Sequence, residues 1–148
     1  MFSNRRALSM SITGIVLTVV AVLGTASLGG AASAQPSPKV FTWNQDIREG
    51  DCTMFGGARW VLKVDGQAHF TGKVTSHDDN DAWLMWAELR DGQRNYLGNI
   101  LAHQLDSDIA KFVINLPDSR RQYDWWVHGT FDPALLSRVH HMTLRSAC

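Results

Sequence analysis

The amino-acid sequence predicts a mainly β protein, a small antiparallel β-barrel or β-sandwich with one or two short helices. Apolar and polar residues alternate along short runs such as 60–64 and 68–74, and this period of two is that of a strand that buries one face. Turn-forming residues such as Asp65 and Gly66 separate the runs. The sequence shows no internal repeat, heptad or low-complexity tract. About six to eight short strands joined by such turns are typical of a barrel or a sandwich.

Residues 1–34 have the three parts of a secretory signal peptide. Arg5 and Arg6 give a basic start, residues 12–28 carry no charge, and Ala34 closes a small-residue Ala-Ser-Ala end. This order predicts cleavage after Ala34 and export of the mature chain. An uncleaved membrane anchor is the alternative, and the Gly, Thr and Ser content of the apolar run disfavours it.

The mature chain is expected to consist of a linker, 35–39, and a single β-rich domain, 40–148, that is secreted and extracellular. Its length suits one hydrophobic core. Because both basic residues of the leader leave on cleavage, the formal charge falls from zero to a small net negative value. No basic stripe exists, which disfavours nucleic-acid binding, and no second long apolar run predicts membrane association. We expect a soluble monomer.

The two cysteines, Cys52 and Cys148, are predicted to form a disulfide bond. An even number of cysteines in an exported protein favours such a bridge. No Cys-x-x-Cys spacing is present, which disfavours a redox site. The bridge would hold the last residue of the chain near the first predicted strands, 40–43 and 52–55.

The first clear hairpin has its turn at Asp65 and Gly66. A two-residue turn would place apolar residues of one strand opposite polar residues of the other, because a shift of one residue moves every side chain to the other face. A three-residue loop pairs Leu62 with Ala68 instead. We therefore predict the longer loop, with Gly66 in the left-handed conformation. It also pairs Trp60 with Phe70.

A second hairpin is predicted around the loop 91–94. The apolar residues of its first strand recur at every second position, so they share one face. A four-residue loop keeps the apolar faces of both strands together. It predicts four cross-strand pairs: Leu89 with Tyr96, Ala87 with Gly98, Met85 with Ile100 and Trp83 with Ala102.

A helix is predicted over residues 109–116. Apolar residues recur there at i, i+3, i+4 and i+7, after an Asp-Ser-Asp segment that suits a cap and before Pro117. The β-branched neighbours Val113 and Ile114 favour a strand, which is the alternative.

The C-terminal part is predicted to contain two strands and a short helix. Residues 123–131 and 141–145 are rich in aromatic, β-branched and alternating apolar residues. Between them, Asp132 and Pro133 have the residue types of a helix cap and a first helical position.

Three segments resemble a known family. They are GDCTM at 50–54, VTSHDDNDAWLMW at 74–86 and GTFDPAL at 129–135. They are similar to those of a family of small secreted actinobacterial proteins of unknown function, over most of the mature chain. The resemblance implies secretion, and it implies no activity, cofactor or catalytic residue.

An acidic segment separates two predicted strands. Its oxygen-bearing side chains, Asp78, Asp79, Asn80 and Asp81, form a weak calcium candidate. The segment lacks the glycine and the distant glutamate of an EF-hand loop. We expect a structural turn whose side chains cap backbone groups, with no metal and no cofactor.

The tryptophans are the best candidates for ligand binding. Most of the six are expected in the core. However, adjacent residues on a strand face opposite ways, so one member of the Trp125 and Trp126 pair must lie on the outer face or in a cleft. An outward tryptophan would suit stacking on a sugar ring. The predicted ligand-binding residues are Trp86, Tyr123, Asp124, Trp125, Trp126 and His128.

These observations predict a secreted, non-catalytic binding or interaction module for a small ligand, a glycan or a protein. A small secreted hydrolase is one alternative, which the lack of a Gly-x-Ser-x-Gly motif disfavours. A secreted inhibitor is the other, acting through an exposed loop at 117–121.

Overall fold

The computed structural model describes residues 37–102 and 107–148. Within these ranges the chain forms antiparallel strands and one short 3₁₀ helix, Pro133–Leu135. The strands are β1 (Lys39–Trp43), β2 (Ile47–Glu49), β3 (Cys52–Met54), β4 (Ala58–Leu62), β5 (Gln67–Ser76), β6 (Asp81–Arg90), β7 (Tyr96–Asn99), β8 (Leu101–Ala102), β9 (Phe112–Leu116), β10 (Tyr123–Thr130) and β11 (His141–Ala147).

The first sheet is organised around β5. On one side β5 pairs with β4 and then with β3, and on its other side it pairs with β10. The sheet continues outward through β1 beyond β4, β8 beyond β10 and β2 beyond β3. The outer face of this sheet carries the candidate site described below.

The second sheet is organised around β6. β11 pairs with most of one side of β6, while β9 and β7 share the other side. The described strands therefore form two open sheets, which confirms the mainly β class and agrees with a sandwich rather than a closed barrel. One or two short helices were predicted, and the described residues contain one.

The core lies between the inner faces of the two sheets. Trp60 of the first sheet contacts Phe112 of the second, with ring centroids 5.3 Å apart. Every second residue of β5 and of β6 faces this layer, as the period of two requires. The fully buried residues from these two strands are Ala68, Phe70, Val74, Trp83, Met85, Ala87 and Leu89.

The first hairpin has the predicted register. Leu62 pairs with Ala68 and Trp60 with Phe70. Gly66 has a φ of 84°, the left-handed conformation that closes a three-residue loop. The requirement that the apolar residues of both strands lie on the same face was therefore sufficient to predict this register.

The predicted register of the second hairpin is wrong. The Asp91 N–H donates to the carbonyl of Asn95 over 3.0 Å, so the loop between paired residues is 92–94, one residue shorter than predicted. The Asp91 carboxylate also accepts from the Asn95 N–H over 2.8 Å. A bulge between Leu89 and Arg90 absorbs the change, and Leu89 pairs with Gly98.

The other predicted pairs of this hairpin are wrong because the chain changes sheets after β7. Ile100 donates its N–H to the Ala87 carbonyl over 2.9 Å, and β8 then pairs with β10 in the first sheet. The N-terminal half of β6 pairs with β9 instead. Met85 therefore lies opposite Phe112, and Trp83 opposite Ile114.

The predicted helix over 109–116 is wrong, since residues Phe112–Leu116 form β9. β9 satisfies the backbone groups along the open edge of β6, which an isolated helix could not do. Ile109 is exposed, and the preceding Asp108 carboxylate accepts the Ala110 N–H over 3.1 Å in a turn. The β-branched residues were the better signal.

The C-terminal predictions are confirmed. Residues 123–131 and 141–145 correspond to β10 and β11. Asp132 caps the 3₁₀ helix, because its carboxylate accepts the Ala134 N–H over 2.9 Å. Pro133 occupies the first position of that helix.

The predicted disulfide is present between Cys52 and Cys148, whose Cα atoms are 5.8 Å apart. Cys52 begins β3 in the first sheet, and Cys148 follows β11 in the second. The bridge therefore ties the two sheets to each other.

Candidate functional site

The two adjacent tryptophans of β10 face opposite ways, as predicted. Trp125 is 5% exposed and Trp126 is 69% exposed. The Trp125 ring packs against Phe70 in the core, with centroids 5.1 Å apart. Trp125 is therefore a core residue, and of the two it is Trp126 that stands on the outer face of the first sheet.

The neighbours of Trp126 come from a strand that is distant in sequence. β10 pairs with β5, which places Thr71 directly opposite Trp126 and Lys73 opposite Asp124. The Lys73 ammonium lies 3.4 Å from the Asp124 carboxylate. We call this outer surface of β1, β4, β5 and β10 the Trp126 face. Its residues are Val40, Thr42, Arg59, Val61, His69, Thr71, Lys73, Asp124, Trp126 and His128.

Two histidines meet beside Trp126. His69 and His128 lie directly opposite each other, and their rings are perpendicular with centroids 4.3 Å apart. The Trp126 ring centroid lies 6.1 Å from that of His128. A shallow cavity of about 210 Å³ opens here, and Gln67 and Thr130 also line it. Three aromatic rings and a small cavity thus form one continuous patch.

The surroundings of His69 disfavour its protonated form. Burial lowers its pKa below the ordinary value of 6.5, and the charges of Lys63 and His128 lower that pKa further, while Asp65 opposes them. Its Nε2 atom is buried without a hydrogen-bond partner among the described residues. A proton on Nε2 would therefore have no acceptor among the described residues and would face positive charge.

We expect the free energy of unfolding to fall as the pH drops below 6.5. The folded pKa of His69 is lower than the unfolded pKa, so the unfolded chain binds the proton first and acid favours unfolding. Urea denaturation between about pH 7.5 and about pH 5 would measure this loss. We expect it to be smaller in His69→Gln than in the wild type, and His141→Gln is the control. Equal pH dependence in wild type and His69→Gln would contradict the prediction.

Trp86 does not lie beside Trp126. It belongs to β6 and alternates with the buried Met85 and Ala87, so it lies on the outer face of the second sheet. Its indole N–H donates to the Asp108 carboxylate over 2.7 Å, and the Arg145 guanidinium lies 5.6 Å from its ring centroid. The prediction that Trp86 neighbours the outward tryptophan is therefore wrong.

Tyr123 also lies away from the Trp126 face, because it shares the inward parity of Trp125. The Asp118 N–H donates to its hydroxyl over 3.0 Å, and the Arg121 guanidinium lies 5.6 Å from its ring centroid. Tyr123 therefore fixes the 117–121 loop, which was the candidate element of an inhibitor.

The side chains of the acidic turn have separate partners. The Asp79 carboxylate accepts the Ser119 N–H over 2.7 Å, and this backbone hydrogen bond lowers the pKa of Asp79. Asp81 accepts a short hydrogen bond from the Ser76 hydroxyl. Asn80 adopts the left-handed conformation, with a φ of 64°. These contacts support a structural role for the turn.

Among the described residues, one group of possible metal ligands has its atoms within 4.8 Å of one another. It consists of Cys52, Asp81 and Cys148. The two sulfur atoms of this group are joined in the disulfide, which removes the thiolates that a metal would bind. The calcium candidate is not brought together as a group.

We expect EDTA to leave the melting temperature nearly unchanged. Replacing Asp79 by Ala should lower the melting temperature slightly, because the Ser119 N–H loses its acceptor. Asp78→Ala is the matched control, since the backbone N–H of Asp78, and not its carboxylate, makes the contact with Ser76. A fall of many degrees on adding EDTA would favour the calcium site instead.

A larger polar cavity lies at the other hairpin. It measures about 420 Å³ and is lined by Asp91, Gly92, Gln93, Arg138 and His140. No sequence signal marked it, because Arg138 and His140 reach the hairpin loop only through the pairing of β11 with β6. It contains no aromatic surface comparable to Trp126.

The profile of a Family of unknown function (DUF6294) matches residues 59–148, more than half of the chain. The chain belongs to DUF6294. Comparison with curated proteins and with solved structures finds no match. Membership confirms the predicted relation to a family without known function. The secreted and actinobacterial character of that family stays a prediction.

The DUF6294 match contains most of the candidate site. It begins within β4 and includes β5 and β10, which together carry Trp126, His69 and His128. β1, which completes the Trp126 face, precedes the match, as does Cys52. In the part of the chain that the structure describes, no helix is long and apolar enough to cross a membrane.

Proposed function

We propose that this DUF6294 protein is an exported, non-catalytic binding module that holds its ligand on the Trp126 face. The observation that carries the proposal is that Trp126 is 69% exposed, although it lies in the middle of a strand that is paired with β5 along its whole length. An indole left in water forgoes about 25 cal/mol for each Å² of apolar surface relative to burial. Contiguous exposed apolar patches commonly mark the sites that a partner covers, and the rings of Trp126, His128 and His69 lie together in one patch.

Export is supported by the leader pattern and by the disulfide. Structural disulfides form and persist in oxidising compartments, and Cys52 and Cys148 are bridged. N-terminal sequencing of protein from the culture supernatant tests this part of the proposal. We expect Gln35 as the first residue, and an intact Met1 would contradict it.

A binding role is favoured over catalysis by the partners of the two histidines. His69 and His128 contact each other, whereas covalent catalysis pairs a histidine with a hydroxyl or thiol nucleophile. The nearest carboxylate along β10, Asp124, is engaged by Lys73. These contacts support a surface that recognises a ligand without transforming it.

A thermal-shift screen against small metabolites and oligosaccharides tests the binding role. Compounds that stabilise the wild type should lose their effect in Trp126→Ala. Tyr96→Ala is the matched control, because Tyr96 is an exposed aromatic residue on the second sheet. Compounds that stabilise wild type and Trp126→Ala equally would contradict the proposed site.

A further inference from the structure

We propose that the ligand of the Trp126 face is a neutral glycan, with one pyranose ring stacked on the indole of Trp126. This inference rests on the proposed function and names the class of its ligand. It is carried by the shape of the face, by its mixture of polar groups and by its charge.

The Trp126 face has the shape of a platform rather than of a pocket. Thr42, Arg59, Thr71 and Trp126 are aligned by the strand register in one row across four strands. Three interstrand spacings span about 14 Å. A small apolar ligand is usually enclosed in a cleft, whereas an extended oligosaccharide can lie across such a row.

The groups around Trp126 match the two kinds of surface of a sugar ring. A pyranose presents an apolar C–H face, which suits the exposed indole. Its rim of hydroxyls both donates and accepts hydrogen bonds. The Arg59 guanidinium and the Lys73 ammonium are donors, the Asp124 carboxylate is an acceptor, and the Thr71 hydroxyl is both. These side chains are exposed on the same face as Trp126.

The charge of the face favours a neutral ligand over a polyanion. Lys73 and Asp124 form an ion pair at 3.4 Å, so their charges largely offset each other. Of the two histidines near Trp126, His69 is disfavoured as a cation, because burial and the charge of Lys63 lower its pKa. Apart from Lys73, the cations on or beside this face are Arg59 and Lys63, whose charge acts on His69. Two such cations do not make the basic stripe that a nucleic acid or an acidic polysaccharide would need.

The distribution of apolar groups disfavours a protein partner. The large exposed apolar residues of this face are Val40 and Trp126. They lie on β1 and β10, with β4 and β5 between them. Between them on the same face lie Val61 and the two histidines. The patch of aromatic rings is therefore bordered by polar groups, and it lacks the broad apolar centre that is usual in a protein interface.

Tryptophan fluorescence titration with defined saccharides tests the inference. The probes are β-1,4-linked hexasaccharides of glucose and of N-acetylglucosamine, with oligogalacturonate as the acidic comparison. We expect saturable binding of a neutral hexasaccharide, and weaker binding of the matching disaccharide because it spans fewer strands. Trp126→Ala should weaken binding at least about tenfold, while Tyr96→Ala leaves it unchanged.

A second set of variants keeps the test valid if Trp126→Ala folds poorly. Arg59→Ala and Asp124→Asn remove hydrogen-bonding groups from the exposed face and should each weaken saccharide binding several-fold. Circular dichroism and the melting temperature would show that these variants are folded. Unchanged affinity in all three variants would overturn the inference.

The remaining outcomes separate the inference from the proposed function. If no neutral saccharide binds at millimolar concentration, or if only oligogalacturonate binds, the glycan assignment fails. If another compound from the thermal-shift screen then binds in a Trp126-dependent way, the proposed binding function stands although the glycan assignment fails. If no compound depends on Trp126, both fail.

Discussion

Loss of the Cys52–Cys148 disulfide is expected to lower the free energy of unfolding by about 4–5 kcal/mol. The bridge closes a loop with a sequence separation of 96 residues. Such a cross-link restricts the unfolded chain strongly, because the entropy of loop closure rises with loop length. It also holds together two sheets that meet through their side chains.

Urea denaturation of the double variant Cys52→Ser/Cys148→Ser against the oxidised wild type measures this effect. Denaturation of the wild type with a thiol reductant should give a similar loss. That comparison separates the covalent bond from the cost of burying a serine hydroxyl at the position of Cys52, which is in the core. Stability that is unchanged under both conditions would contradict the prediction.

The second large effect is expected at Trp125. Trp125→Ala should lower the free energy of unfolding by about 3–5 kcal/mol, because it leaves a cavity beside Phe70. Trp126→Ala should change stability by no more than about 0.5 kcal/mol, since its side chain is mostly in water.

This adjacent pair is its own control, because both variants remove the same atoms from the same strand. Urea denaturation monitored by far-UV circular dichroism avoids the change in tryptophan signal. Similar losses in both variants would show that the outer face is also packed, and would remove the physical basis of the proposed binding site.

The sequence predicted the parts of the fold that depend on neighbouring residues. The register of the Leu62–Ala68 pair follows from a short loop and from agreement of the apolar faces. The opposite orientation of Trp125 and Trp126 follows from the geometry of any strand. Asp132 and Pro133 specify their helix start through one side-chain hydrogen bond and one fixed φ.

The errors occurred where a distant strand decided the outcome. Residues 109–116 satisfy a helical pattern, yet the open edge of β6 selects a strand from Phe112 onward. The second hairpin lost its predicted register because Asp91 and Asn95 form hydrogen bonds across a shorter loop, and a bulge follows between Leu89 and Arg90. Backbone groups along an edge need partners, and that demand is not visible in a local window of sequence.

By itself, the sequence determined that one tryptophan of the β10 pair had to leave the core, because period-two geometry allows no other arrangement. It also determined the only pair of cysteines that could bridge. The tertiary structure decided what surrounds the exposed indole. Pairing of β10 with β5 places Thr71 and His69 at the site, and the division into two sheets sends Trp86 to the opposite face. Long-range strand pairing depends on which edges remain unpaired after the local hairpins form, and only the complete fold contains that information.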